Sequence, residues 1–241
     1  MQNRNLLHDP ELELKETFTS VEAAIEGVAE HVGCQGLIKL SGTTATVCLI
    51  LHGKLYMAHV GDSRALYCSL AVSPCGLSST LPSETGSEDE IESVVVNVTD
   101  DHSPNRSDEK TRIESKGGVV RQIMRNLPFR IFEKNSHKPG LAMSRALGDF
   151  AAQRLGVLHE PDIKVVDISG SGPQTRDFLI VASDGVWEVL GNDEILNEVK
   201  LNFAKGEKMI AENIASKAAK RWEEIDRMMT DDITILVHRI K

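Results

Sequence analysis

The sequence predicts an α+β fold, helices layered on mainly antiparallel sheet, and three observations predict it. Short β-rich runs joined by tight turns crowd the first half, two long helical stripes crowd the second, and no regular βαβ alternation links them. At 241 residues, with 41% hydrophobic and 26% charged, the chain has the size and composition of one soluble domain with a real core.

Leu14, Phe18, Val21, Ile25 and Val28 recur at spacings of three and four, which predicts a helix with one buried face ending near Gly33. "TTATVCLILHGKLYMAHVGDSRALYC" then reads as a meander of antiparallel strands turning at His52-Gly53 and at Gly61-Asp62. Residues 73–93, "SPCGLSSTLPSETGSEDEIES", are rich in Ser, Pro and Gly and then acidic, the composition of a flexible insertion. "VVVNV" resumes the strand pattern, and "RSDEKTRIESKGG" is a helix with an Asp in its first turn and glycines past its end. "LAMSRALGD" reads as a short helix after Pro139-Gly140. Phe178 to Ala182 is a strand, Ile195, Leu196, Val199 and Phe203 mark one helix, and Ile210, Ile214, Ala218 and Trp222 mark another. "DDITILVHRI" closes the chain as a strand.

A net charge of −9 and 4% aromatic residues argue against a nucleic-acid partner, which needs basic surplus and stacking surfaces. Cys34, Cys48, Cys68 and Cys75 form no CxxC pair, so neither a zinc knuckle nor a redox dithiol is expected, and a reducing compartment, cytosol or nucleus, is. No apolar run approaches the roughly 20 residues of a membrane helix, and the polar start lacks a signal-peptide core.

The candidate chemistry lies in carboxylates at strand ends. In "FLIVASDGVWEVL", Asp184 follows an apolar run and precedes Gly185, where backbone can approach a ligand closely. Asp231 and Asp232 stand just before the final strand, so either reaches the same rim if the two strands are neighbours. Two such carboxylates suit Mg²⁺ or Mn²⁺, which take oxygen ligands and keep several waters. Taken singly, each aspartate reads first as a turn former or helix cap. Asp62 in "VGDSRA" carries the same two readings, and Glu188, one turn after Asp184, either shares its face or complements the helix's positive end. His52 and His59 lie near no GxSxG-type serine, so no Ser-His catalysis is expected and no catalytic residue is assigned.

Taken together and in order, "SGTTAT", "HVGDSRALY", "DHSPNRSDEKTRIESKGG", "GLAMSRALGD", "VASDGVWEVL" and "DDITILV" resemble the type 2C metal-dependent protein serine/threonine phosphatases from about Leu14 onward. The resemblance implies an αββα sandwich of two antiparallel sheets flanked by helices, and hydrolysis of phosphoserine or phosphothreonine in a phosphoprotein by a water activated on two Mg²⁺ or Mn²⁺ ions. It implies Asp184 and Asp231 as metal ligands, with Asp62 and Glu188 serving an additional metal. Asp232 replaces the asparagine of the family's "DNIT", and Glu188 replaces an aspartate. The family's opening strands, with a Glu-Asp pair and an Asp-Gly-His-Gly motif, have no counterpart here, so the expectation is a chain that starts downstream of half the metal site. A non-catalytic, phosphatase-like interaction domain is the alternative. Arg121, Arg125 and Arg130, in the stretch matching the region near the family's flap, are candidates to meet an acidic phosphopeptide, or else are solvated surface arginines.

Overall fold

The computed structural model describes residues 9–31, 39–73, 90–125, 127–170, 172–225 and 231–240. The chain divides into two compact units, one of Met1–Leu51, Leu55–Ser63 and Asp100–Val165, the other of His52–Lys54, Arg64–Thr99 and Val166–Lys241. In chain order the elements are α1 (Pro10–His31), β1 (Gly42–Thr43), β2 (Ala45–Leu51), β3 (Lys54–Val60), β4 (Arg64–Ser73) and β5 (Glu90–Val98). Then come α2 (Ser107–Ser115), β6 (Gly118–Gln122), β7 (Phe129–Glu133), β8 (Pro139–Leu141), β9 (Leu147–Gly148), α3 (Phe150–Gln153) and β10 (Asp162–Asp167). The last are β11 (Thr175–Ala182), α4 (Asp184–Trp187), α5 (Asn192–Asn202), α6 (Glu207–Ile225) and β12 (Ile235–Arg239).

In the first unit Leu14, Phe18, Tyr56, Ala58, Val60 and Leu147 form one apolar cluster, and Ile113, Ile131, Ala152, Leu155 and Val157 form another. The strand order β10-β3-β2 makes one sheet and β6-β7-β8 another. The β2–β3 turn holds His52 at φ 50° and Gly53 at φ 75°, a pair of positive φ values whose twist matches a two-residue hairpin.

The buried face of α1 differs from the expected stripe. Leu14 and Phe18 are buried, but Val21 and Val28 are 42% and 58% exposed, and Glu22 is buried in their place. Glu22 tolerates this because its carboxylate accepts the Gly148 N–H at 2.8 Å and a bond from Gln153 Nε2. The meander also ends early: β3 lies in the β10-β3-β2 sheet and β4 in another, so Gly61-Asp62 is a crossover and not a hairpin turn. "LAMSRALGD" is not helical. Ser144 N–H bonds to His102 O and Ala146 N–H to Leu158 O, so carbonyls distant in sequence take the donors that a helix would use.

A charged network stabilises this unit around Glu109, which is fully buried on α2. Arg112 donates to both carboxylate oxygens at 2.7 and 2.5 Å, Arg145 Nη2 donates to Oε1 at 2.9 Å, and Arg106 Nη2 to Oε1 at 3.1 Å. Burial pushes the Glu109 carboxyl up, but the bonds from Arg112, Arg145 and Ser144 outweigh it and bring it down from 4.5 to about 2. Asp162 is held well below the ordinary carboxylate range by the His102 hydrogen bond and, against some burial, by Arg145 and Arg106. His102 stacks on the buried His59 ring, centroids 4.4 Å apart, and burial followed by His102 lowers the pKa of His59. Asp149, at φ 49°, is raised from 3.8 to about 6 by burial and then by the Glu22 carboxylate.

The second unit is built on a four-stranded antiparallel sheet, β12-β11-β4-β5. Leu66, Cys68, Leu70 and Val72 of β4 and Phe178, Ile180 and Ala182 of β11 share one face, on which α5 and α6 lay Ile195, Val199, Ile210, Ile214 and Ala218. Both helices follow their predicted stripes. The strands reach into both ends of the predicted insertion, at Ser73 and from Glu90 to Ser93, and residues 74–89 lie outside the described residues.

Candidate active site

The second unit brings Asp184 and Asp231 to one end of neighbouring strands. β11 and β12 run antiparallel with Ala182 opposite Ile235, so the end of one meets the start of the other. Beyond the ladder, Ser183 N–H bonds to Thr234 O at 3.0 Å, Thr234 N–H to Ser183 Oγ at 3.1 Å, and Ser183 O–H to Asp232 O at 3.1 Å. These three bonds hold the "SDG" and "DDIT" segments side by side. Asp184 opens the single turn α4, half-buried, with Oδ1 accepting the Gly185 N–H at 2.9 Å. Asp231 is exposed, with Oδ1 accepting the Asp232 N–H at 2.8 Å.

Gly185 sets how closely the two segments pack. A Cβ there would clash with the Asp232 carbonyl oxygen and lie 3.6 Å from Asp231 Cβ. Only hydrogen fits, so the Gly185 requirement is one of space. Glu188 is exposed, and its N–H bonds to Asp184 O at 2.8 Å, which places it one helical turn beyond Asp184.

Three residues with no site role assigned from the sequence support this corner. Trp187 donates its indole N–H to Ala182 O at 2.8 Å, and Trp222 of α6 donates to Gly185 O at 2.7 Å. Arg64 of β4, opposite Ala182, lies 5.0 Å over the Trp187 ring and donates to Asn192 Oδ1 at 2.7 Å. The helical stripe marked Trp222 as buried but carried no sign of its N–H.

Asp62 belongs to the first unit and is half-buried after Gly61, whose N–H donates to His102 Nδ1 at 3.1 Å. Arg121 and Arg130 are cross-strand partners on β6 and β7. Arg121 stacks 4.2 Å over Phe132 and donates to Ser136 O at 2.5 Å, while Arg130 donates to Gly140 O at 2.6 Å, so both guanidinium groups bond the backbone around their own sheet. Arg125 is exposed beside exposed Ile123 and Met124.

Among the described residues no three or more His, Cys, Asp or Glu side chains gather as a metal-holding group. The pair Asp184 and Asp231 nonetheless fits a hard divalent cation in kind, because Mg²⁺ is commonly held by one or two carboxylates with water filling the remaining positions. Gly185 lets the segment that carries Asp184 pack directly on the segment that carries Asp231, because only a residue without Cβ clears the Asp232 carbonyl.

The protein phosphatase 2C family model matches residues 2–224, and the chain belongs to that family. It is 28% identical over 239 residues to "Probable protein phosphatase 2C 61" of Arabidopsis thaliana, covering 98% of this chain and 65% of that protein. It is 31% identical over 216 residues to "Probable protein phosphatase 2C 12" of Oryza sativa subsp. japonica, covering 87% of this chain and 48% of that protein. The chain thus spans about half to two thirds of the length of these relatives. Its fold resembles the crystal structure of serine-threonine phosphatase 2C from Toxoplasma gondii, with a TM-score of 0.67 and 22% identity over 99% of this chain and 70% of that one. A C. elegans sex determining protein shares the fold with a TM-score of 0.57 and 18% identity, over 95% of this chain and 51% of that one. Among the described residues no helix is long and apolar enough to cross a membrane.

Proposed function

We propose that this protein is a metal-dependent protein serine/threonine phosphatase that hydrolyses phosphoserine and phosphothreonine in phosphoprotein substrates. The observation that carries the reading is the meeting of Asp184 and Asp231 at paired strand ends in a chain of the protein phosphatase 2C family. The names of the similar proteins support the substrate class.

Asp184 and Asp231 are the residues that would hold Mg²⁺ or Mn²⁺. A divalent cation bound there supplies Lewis acidity toward phosphoryl oxygens and a water acidified toward neutral pH. The chain's own contribution is to hold the two segments that carry these aspartates side by side and to keep Asp184 half-buried, where its charge is less screened than Asp231's. Glu188, one turn beyond Asp184 in the same unit, is a candidate for an additional cation. Of the three arginines proposed to meet substrate, Arg125 is the exposed one, and it is the candidate to meet an acidic phosphopeptide.

Incubation with a phosphothreonine peptide and Mn²⁺ tests the reading. Release of inorganic phosphate, abolished in Asp184→Asn, is the expected result; release that survives the substitution would remove Asp184 from the site. A second reading, a phosphatase-like domain that binds partners without hydrolysis, has one observation in its favour: no third metal-ligating side chain joins a group among the described residues. It predicts neither phosphate release nor tight Mn²⁺ binding.

A further inference from the structure

The chain has two tryptophans, and both direct their indole N–H to the backbone that brackets Asp184. Trp187 bonds the strand-end carbonyl of Ala182, five residues back. Trp222 bonds Gly185 O from another helix, 37 positions further along the chain. The local backbone leaves Gly185 O to it. α4 is a single turn, and the Val189 N–H that would serve Gly185 O in a longer helix bonds to Val186 O instead, at 3.3 Å.

We infer that Trp222 is a positioning residue for the Asp184–Asp231 pair, acting through the Gly185 peptide; the inference rests on the cation-site reading above. One side of Gly185 receives the Trp222 N–H, and the other rests on the Asp232 carbonyl with no room for a Cβ. Gly185, next to Asp184, is therefore gripped between α6 and the segment that carries Asp231. The Trp222 ring packs against the same core as Ile210, Ile214 and Ala218, so its N–H is anchored by buried apolar surface. Losing that N–H frees the Gly185 peptide to tilt, which changes the distance between the two carboxylates. A small divalent cation with near-octahedral demands responds strongly to such a change. Groups that orient metal ligands typically matter by about 10–100-fold in affinity.

Titrating the 241-residue chain with Mn²⁺, with free ion followed by electron paramagnetic resonance, tests the inference. Trp222→Phe keeps the ring and removes the N–H; Mn²⁺ affinity falls about 10-fold. Ile214→Val trims the same buried stripe without touching Gly185 O, so it lowers Tm and leaves Mn²⁺ affinity unchanged. Equal affinity in Trp222→Phe and the unmutated chain, or an equal loss in Ile214→Val, would overturn the positioning role. In the unmutated chain, saturation with Mg²⁺ shifts the Trp222 Nε1–H nuclear magnetic resonance, and a resonance that does not move would also overturn it. An unmutated chain that binds no Mn²⁺ would overturn the cation-site reading itself and the inference with it.

Discussion

Replacing Glu109 by glutamine removes a buried charge from among three arginines while leaving its shape almost unchanged. Two routes give the cost. The fall of its pKa from 4.5 to about 2, at about 1.4 kcal/mol per pH unit, corresponds to about 3 kcal/mol of native-state stability. Removing one partner of a buried ion pair independently costs about 3–5 kcal/mol, because the opposite charges stay behind without compensation. Because the folded pKa is depressed, the contribution is fully present above about pH 4.5 and is lost as the pH falls toward 2. Both tryptophans lie in the second unit, so their fluorescence does not report on this one; native-state hydrogen exchange at Ile113 and Ala146 does. Glu109→Gln lowers the opening free energy at these amides by about 3 kcal/mol at pH 7. The difference between variant and parent shrinks as the pH drops from 4.5 to 2. A loss below about 0.5 kcal/mol at pH 7, or a difference independent of pH, would refute the electrostatic role.

Asp149 shows the opposite sign. Its pKa is raised from 3.8 to about 6, so its ionised form destabilises the fold as the pH rises through that window, by up to about 3 kcal/mol above it. Asp149→Asn, a residue type that tolerates φ near +50°, therefore raises Tm at pH 7 and loses that advantage below about pH 4; equal Tm values at pH 7 would count against a charge destabilised by burial and by Glu22. Gly185→Ala pushes a Cβ into the Asp232 carbonyl and separates the "SDG" and "DDIT" segments, so Mn²⁺ affinity falls by more than about 10-fold in a calorimetric titration while the sheet survives. Unchanged affinity there would mean that the two segments need not touch.

Where the sequence was informative, the signal was periodic or lay at a boundary. The stripe Ile210, Ile214, Ala218 is buried as its spacing of four requires, and Asp184 and Asp231 flank apolar runs that pair in the sheet. Periodicity failed where a polar side chain had a partner far along the chain. Glu22 displaced Val21 from the buried face of α1 because Gly148 and Gln153 satisfy its carboxylate, and no local pattern encodes that partnership. "LAMSRALGD" has helical spacing, but His102 and Leu158 capture its backbone, and Arg145 turns to Glu109. Gly61-Asp62 looked like a hairpin because a turn and a crossover between sheets use the same residue types. Trp222 was legible as an apolar residue on a stripe; the destination of its N–H depended on α6 lying beside α4.

The most direct test is a double-mutant cycle on Mn²⁺ affinity with Asp184→Asn, Asp231→Asn and the two combined. If both carboxylates hold one ion, each single substitution weakens binding by about 10-fold or more and the double variant is little worse than the weaker single. Either single variant binding as tightly as the unmutated chain, or losses that simply add, would contradict a shared cation at the paired ends of β11 and β12.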